Sequence, residues 1–184
     1  MTAGDVAEQL AADLVALFHA PPPAFGSWES VAAEEVPEPA RSLLDHRSHM
    51  TVAMERHHAC PMVLRVVAER SGDDGDSHYA REILLARPDG VVVQHGIVRI
   101  DMAAVGPAAA AVIRSRSAPL GRILVEAGRL CDVHDVRLLR IMPGPHLALL
   151  LNSQARQIFG RVARIDVAGR PAVELLELVA PPAT

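Results

Sequence analysis

An arginine set among aliphatic side chains is the feature of this sequence best suited to chemistry. The run Tyr79-Ala80-Arg81-Glu82-Ile83-Leu84-Leu85 has the length and apolar density of a strand, entered from the turn-rich segment 71–77 and left at Pro88-Asp89-Gly90. Side chains alternate along a strand, so Arg81, Ile83 and Leu85 share one face. If that face looks into a core, the guanidinium needs an anionic partner, because a buried unpaired charge is strongly destabilising. The partner is then a protein carboxylate or a ligand carboxylate. The alternative is a strand-end arginine whose head reaches water. The basic side chains are all arginine, with no lysine, which weakens an inference from any single arginine.

Two carboxylates near the C-terminus are the next candidates. Glu174 and Glu177 stand three apart in a strand-like run and therefore point to opposite faces. Glu177 shares its face with Val173, Leu175 and Val179, and Glu174 shares the other with Leu176 and Leu178. An inward glutamate among aliphatic neighbours has its pKa raised by desolvation unless a donor meets it. The pattern alone does not choose between them, nor between an inward glutamate and edge-strand charges in solvent. The histidines cluster as well: Asp45, His46, His49, His57 and His58 lie close together. His46-Arg47-Ser48-His49 has neither the i, i+4 spacing nor the intervening Glu of a zinc-protease helix, so these histidines read as surface or capping residues. Gly-x-Ser-x-Gly, phosphate-loop and dinucleotide motifs are absent from the sequence, and no cofactor is expected.

The elements that must position these residues follow from periodicity. Residues 4–19 read as an amphipathic helix with Leu10, Leu14 and Leu17 on one stripe, capped by Thr2 or Asp5 and stopped by Pro21-Pro22-Pro23. Residues 20–40 read as a linker or loosely packed wrap anchored by Trp28. A short helix over Val52 to His57, capped by Ser48 or Thr51, precedes strands at Met62 to Glu69, at the Arg81 run and at Val91 to Asp101. Short turns make these three strands consecutive antiparallel neighbours. Residues 102–116 read as helix interrupted at Gly106-Pro107, and Pro119 opens a further helix. A strand at Val133 to Met142, a helix within 146–159, and a hairpin of 160–167 with 171–180 complete the chain. Strands at both ends with helices grouped between them give an α+β fold with a mostly antiparallel sheet. The division expected is residues 1–40 as N-terminal helix and wrap, and 41–184 as the main domain.

Composition bounds the function classes. The chain has 184 residues, half of them apolar, a net charge of −4 and only five aromatic residues. It has no basic stripe with interleaved aromatics, which argues against a nucleic-acid partner. No apolar run reaches the roughly 18 residues needed to span a bilayer. The first turn carries Asp5 and Glu8 with no basic leader. Cys60 and Cys131 are too far apart for a metal or disulfide motif. A soluble cytoplasmic protein with a small-molecule partner is the expectation.

Taken in order, the blocks Leu43-Leu44-Asp45, Ser48-His49-Met50-Thr51, Arg81-Glu82-Ile83-Leu84-Leu85, Gly96, Pro119-Leu120-Gly121-Arg122, Phe159-Gly160-Arg161 and Glu177-Leu178 resemble the chorismate lyase (chorismate–pyruvate lyase) family over residues 41–181. The resemblance implies an antiparallel sheet with helices over one face and a ligand buried beneath helical flaps. It implies cleavage of chorismate to 4-hydroxybenzoate and pyruvate without metal or organic cofactor, with Arg81 and Glu177 as the catalytic candidates. Arg81 matches the arginine that grips the ring carboxylate, and Met50 and Leu120 match residues whose backbone N–H groups bind there. Glu177 matches the glutamate at the ring hydroxyl, and Gly96 matches a glycine close to the ring. The physical logic agrees: aromatisation drives the elimination, and the protein mainly orients the substrate and excludes water. The first forty residues, the histidine-rich stretch around Met50 and the segment from Cys131 to Asn152 depart from the family pattern. The alternative is a non-catalytic small-carboxylate binder of the same fold, as in effector domains of bacterial transcription regulators, or a lyase for a related enolpyruvyl substrate. Those effector domains follow a DNA-binding winged helix, for which one N-terminal helix is too little.

Overall fold

The computed structural model describes residues 2–72, 77–128 and 130–181, so the tip of the turn-rich segment, at 73–76, lies outside the described residues. In chain order the elements are helix α1 (Ala3–Ala16), strand β1 (Gly26–Val31), helices α2 (Ala40–Leu44) and α3 (Met50–His58), and strands β2 (Val63–Ser71), β3 (His78–Ala86) and β4 (Val92–Asp101). Helices α4 (Met102–Val105), α5 (Pro107–Arg114) and α6 (Leu120–Glu126) follow, then β5 (Cys131–Pro143), α7 (Pro145–Leu151), β6 (Ile158–Val167) and β7 (Arg170–Val179).

The seven strands form one antiparallel sheet in the order β1-β5-β6-β7-β4-β3-β2. The α+β class with an antiparallel sheet read from the sequence therefore holds, with β2, β3 and β4 as consecutive neighbours. The last hairpin, β6–β7, sits in the middle of the sheet, where β7 pairs with β4. Its central place explains why Val173, Leu175, Leu176 and Leu178 are all buried: both faces of a central strand are covered.

One face of the sheet packs under α2 to α6. Ile100, Ala163, Ile165 and Leu175 meet Val105, Ile113, Ile123 and Leu124, and Ile83, Leu85 and Phe159 meet Leu44, Met50 and Met54. The other face is covered by α1 and α7, with Leu10, Leu14, Leu147 and Leu151 packed on Ile97, Leu139, Val162 and Leu176. Each such fully buried aliphatic side chain stabilises the fold by about 1.5–3 kcal/mol. The start of α1 is fixed by a reciprocal cap: Asp5 N–H donates to Thr2 Oγ1 at 3.1 Å and Thr2 N–H to Asp5 Oδ2 at 2.7 Å.

Three local expectations are corrected. Residues 26–31, placed in a linker or wrap, form the edge strand β1, whose Trp28 Nε1–H donates to the Glu8 carbonyl at 3.1 Å and whose Ser30 N–H donates to Glu8 Oε1 at 2.9 Å. Helix α3 begins at Met50 after His49, with no side-chain cap from Ser48 or Thr51. The helix within 146–159 stops at Leu151, because Asn152 turns left-handed at φ 47°, and β6 starts at Ile158.

Candidate ligand-binding site

β3 lies inside the sheet, between β4 and the edge strand β2, and the alternating set that contains Arg81 is buried on it. Ile83 and Leu85 are buried in the core between sheet and helices, and Arg81 is only 1 % exposed. Its Nε and Nη1 have no hydrogen-bond partner among the described residues. Glu69 stands opposite Arg81 on β2, yet its carboxylate is taken by Arg116 and by the Tyr79 hydroxyl, which donates at 2.9 Å. Burial pulls the Arg81 pKa down, and Tyr79 and Glu69 oppose that only in part. An arginine left in this state is a positive charge in search of an anion.

The other end of the site is built from a row that runs straight across the sheet. Ile83, Gly96, Glu177, Arg161 and Leu138 stand opposite one another on β3, β4, β7, β6 and β5. Arg81 belongs to the next row on the same face, with Val98, Leu175 and Ala163. Two strand spacings and two residues of rise place the Cα atoms of Arg81 and Glu177 about 12 Å apart. Arg161, also 1 % exposed, donates from Nε to Glu177 Oε2 at 2.8 Å and from its terminal nitrogens to the carbonyls of Leu44, His46 and Ser48. It thereby both neutralises Glu177 and ties the turn before α3 to the sheet. A β-sheet presents the same face only every second residue, so Glu174 lies on the other side, paired with Arg99 and Arg164.

Between Arg81 and Glu177 lies a cavity that both side chains line. Its floor includes Ile83, Gly96, Val98 and Leu175. Its roof comes from the starts of two helices, with His49, Met50 and Thr51 on one side and Pro119, Leu120 and Gly121 on the other. A Cβ at Gly121 would stand 2.9 Å from His49 Cβ, so the glycine is what lets the two helix starts close over the cavity. Neither helix has a side-chain cap, and the first amides of a helix have no carbonyl of their own helix to bond. His46 and His49, beside the Arg161–Glu177 pair, are both held below the ordinary histidine range, chiefly by burial.

All five residues singled out from the sequence — Met50, Arg81, Gly96, Leu120 and Glu177 — line this one cavity. Two further lining residues were given no role from the sequence. Arg161 stands in line with Phe159, Ala163 and Ile165, the same signal that marks Arg81. Gln94, 2 % exposed, lies two residues before Gly96 on the same face, and its Oε1 has no partner among the described residues. The histidines do not converge on this site as a ligand set, and among the described residues no group of three or more His, Cys, Asp or Glu is arranged to hold a metal ion. No helix among the described residues is long and apolar enough to cross a membrane.

No family model and no curated protein matches the chain. Among solved structures, it is similar to the effector domain of PhnF from Mycobacterium smegmatis, at 17% identity and a TM-score of 0.54, over 72% of this chain and 88% of that one. It is also similar to a putative regulator from Escherichia coli CFT073, at 11% identity and a TM-score of 0.50, over 66% and 98%. These neighbours correct the expectation of a chorismate–pyruvate lyase, since the structures it resembles are an effector domain and a regulator rather than lyases. In the site itself, the Glu177 carboxylate that was to serve the reacting ring accepts from Arg161 through Oε2. The comparison establishes the fold: a seven-stranded antiparallel sheet with helices, the chorismate lyase-like architecture that regulator effector domains share.

Proposed function

We propose that this chain is a non-catalytic domain that binds a small carboxylate in the cavity between Arg81 and Glu177. One observation carries the reading: Arg81 is buried, lines the cavity and has two guanidinium nitrogens without a partner among the described residues. A guanidinium offers a carboxylate two parallel hydrogen bonds. The charges lining the cavity are Arg81, Arg161 and Glu177. With Arg161 and Glu177 cancelling, one positive charge is left, which suits a monoanion. The amides of Met50 and Leu120 add donors at the roof, and Gly96 leaves room on the floor. Similarity in fold to an effector domain supports a role in binding rather than turnover.

The test compares benzoate with its neutral isostere benzamide by calorimetry and by thermal denaturation, on the wild-type chain and on Arg81→Met. A ligand that binds only the folded state raises the melting temperature. Benzoate is expected to raise it and benzamide is not, with the benzoate effect lost in Arg81→Met. Equal effects of the two probes, or benzoate binding that survives Arg81→Met, would remove Arg81 from the site and the proposal with it.

A further inference from the structure

Gln94 is a second side chain of the cavity with a buried polar atom left without a partner among the described residues. It is 2 % exposed, and its Oε1 is buried and unbonded among the described residues. It lines the same cavity as Arg81. On β4 it stands opposite Leu85, two residues beyond the Gly96 row and on the side away from Arg81. One strand spacing and four residues of rise separate the Cα atoms of Arg81 and Gln94 by about 14 Å. Buried amide oxygens in folded proteins are hydrogen-bonded as a rule, and an exception on a residue that lines a cavity marks a place where a ligand can supply the donor. A carboxylate cannot be that group, since it only accepts hydrogen bonds. Glu177 is a weaker candidate for the same task, because its Oε2 already accepts from Arg161.

Building on the carboxylate-binding reading above, we infer that Gln94 is a second recognition point of this cavity. The ligand is therefore a carboxylate that also carries an uncharged hydrogen-bond donor, a hydroxyl or an amide N–H, at the end away from Arg81. Arg81 selects for the anion and Gln94 for the donor. The two groups are held on neighbouring strands inside the sheet, so their spacing is fixed by the sheet and does not depend on a loop.

The experiment measures the affinities of benzoate, 3-hydroxybenzoate and 4-hydroxybenzoate for the wild-type chain, for Gln94→Leu and for Glu177→Gln, together with the melting temperature of each ligand-free protein. At least one hydroxylated acid should bind the wild type tenfold or more tightly than benzoate. In Gln94→Leu that ratio should fall to within twofold, and the ligand-free variant should melt no lower than the wild type, because the change removes an unbonded buried carbonyl. A ratio kept in Gln94→Leu and lost in Glu177→Gln would place the donor on Glu177 and overturn the inference while leaving the carboxylate site standing. Equal binding of all three acids by the wild type, or a marked drop in the melting temperature of ligand-free Gln94→Leu, would assign Gln94 a structural role only. Failure of the wild type to bind any of the three would remove the carboxylate reading itself, and this inference falls with it.

Discussion

Arg161 and Arg81 lie on the same face of one sheet, equally buried, and only Arg161 has a carboxylate: its Nε donates to Glu177 Oε2 at 2.8 Å, while Arg81 Nε and Nη1 have no partner among the described residues. The contrast separates an arginine paired within the fold from one that, under the proposed function, receives the ligand carboxylate.

It predicts opposite stability effects at the two positions. In the ligand-free protein Arg81→Met should be stabilising by about 1–3 kcal/mol, because it replaces an unpaired buried charge with an apolar side chain of similar length. Urea unfolding of both proteins without ligand gives the comparison. A loss of stability in Arg81→Met would mean that the guanidinium has a structural partner.

For the Arg161–Glu177 pair the expectation reverses. Glu177→Leu strands a buried guanidinium and should destabilise by about 3 kcal/mol, and Arg161→Met should do the same by stranding the carboxylate. The double variant should recover most of that loss, since both charges go together. Arg161→Met should also speed amide exchange in residues 45–49, which its terminal nitrogens hold through the carbonyls of Leu44, His46 and Ser48. Additive losses in the double variant would show that the pair contributes nothing as a pair.

Much of this was legible in the sequence because alternation is a strong signal in strands inside a sheet. Arg81 stood out against Ile83 and Leu85, and the three consecutive strands around it were fixed by short turns. Glu177 and Glu174 could be assigned to opposite faces but not to the right ones, because β7 is covered on both sides and its two faces are equally aliphatic. Residues 26–31 were misread because β1 is a half-exposed edge strand whose pairing partner, β5, is more than a hundred residues away. The lyase expectation failed for a different reason. Residues that build a carboxylate pocket look the same whether the pocket turns its ligand over or only holds it.

On the opposite face Glu82 predicts how stability responds to acid. His19 Nε2 and His95 Nε2 each lie 2.7 Å from Glu82 Oε1, and all three residues are buried. Burial pushes the Glu82 carboxyl up, but the two imidazoles together hold it below the ordinary value. Burial holds His95 below its ordinary 6.5, against the pull of Glu82. A histidine depressed in the fold contributes stability above its unfolded pKa and loses it as pH falls through 6.5 towards the folded value. Glu82 adds a second loss at lower pH, below its ordinary 4.5. Unfolding free energies at pH 7.5, 6.5 and 5.5 should therefore decline, with His95 contributing up to about 1.4 kcal/mol per pH unit. His95→Gln keeps a donor for Glu82 and cannot titrate, so its decline over the same interval should be shallower. An identical slope would take His95 out of the acid response.

Two glycines on the strands that flank β7, Gly160 on β6 and Gly96 on β4, should respond in opposite ways to the same added methyl group. At Gly160 a Cβ would stand 2.7 Å from the Glu177 carbonyl oxygen and closer still to Leu178 Cδ2. The carbonyl belongs to the paired strand β7 and cannot move aside without disturbing the ladder, so Gly160→Ala should destabilise by about 1–3 kcal/mol. At Gly96 the nearest atoms, Ile83 Cδ1 and Cγ1, would be 3.4 Å away, at the close end of ordinary contact with a side chain that can turn. Gly96→Ala should therefore keep nearly the wild-type melting temperature. Its methyl group would project into the cavity between Ile83 and Glu177, where it takes room from the ligand, and benzoate affinity should drop at least tenfold. Thermal denaturation with and without benzoate reads both effects in one set of curves. Full benzoate affinity in Gly96→Ala would show that the ligand does not rest on this row of the sheet.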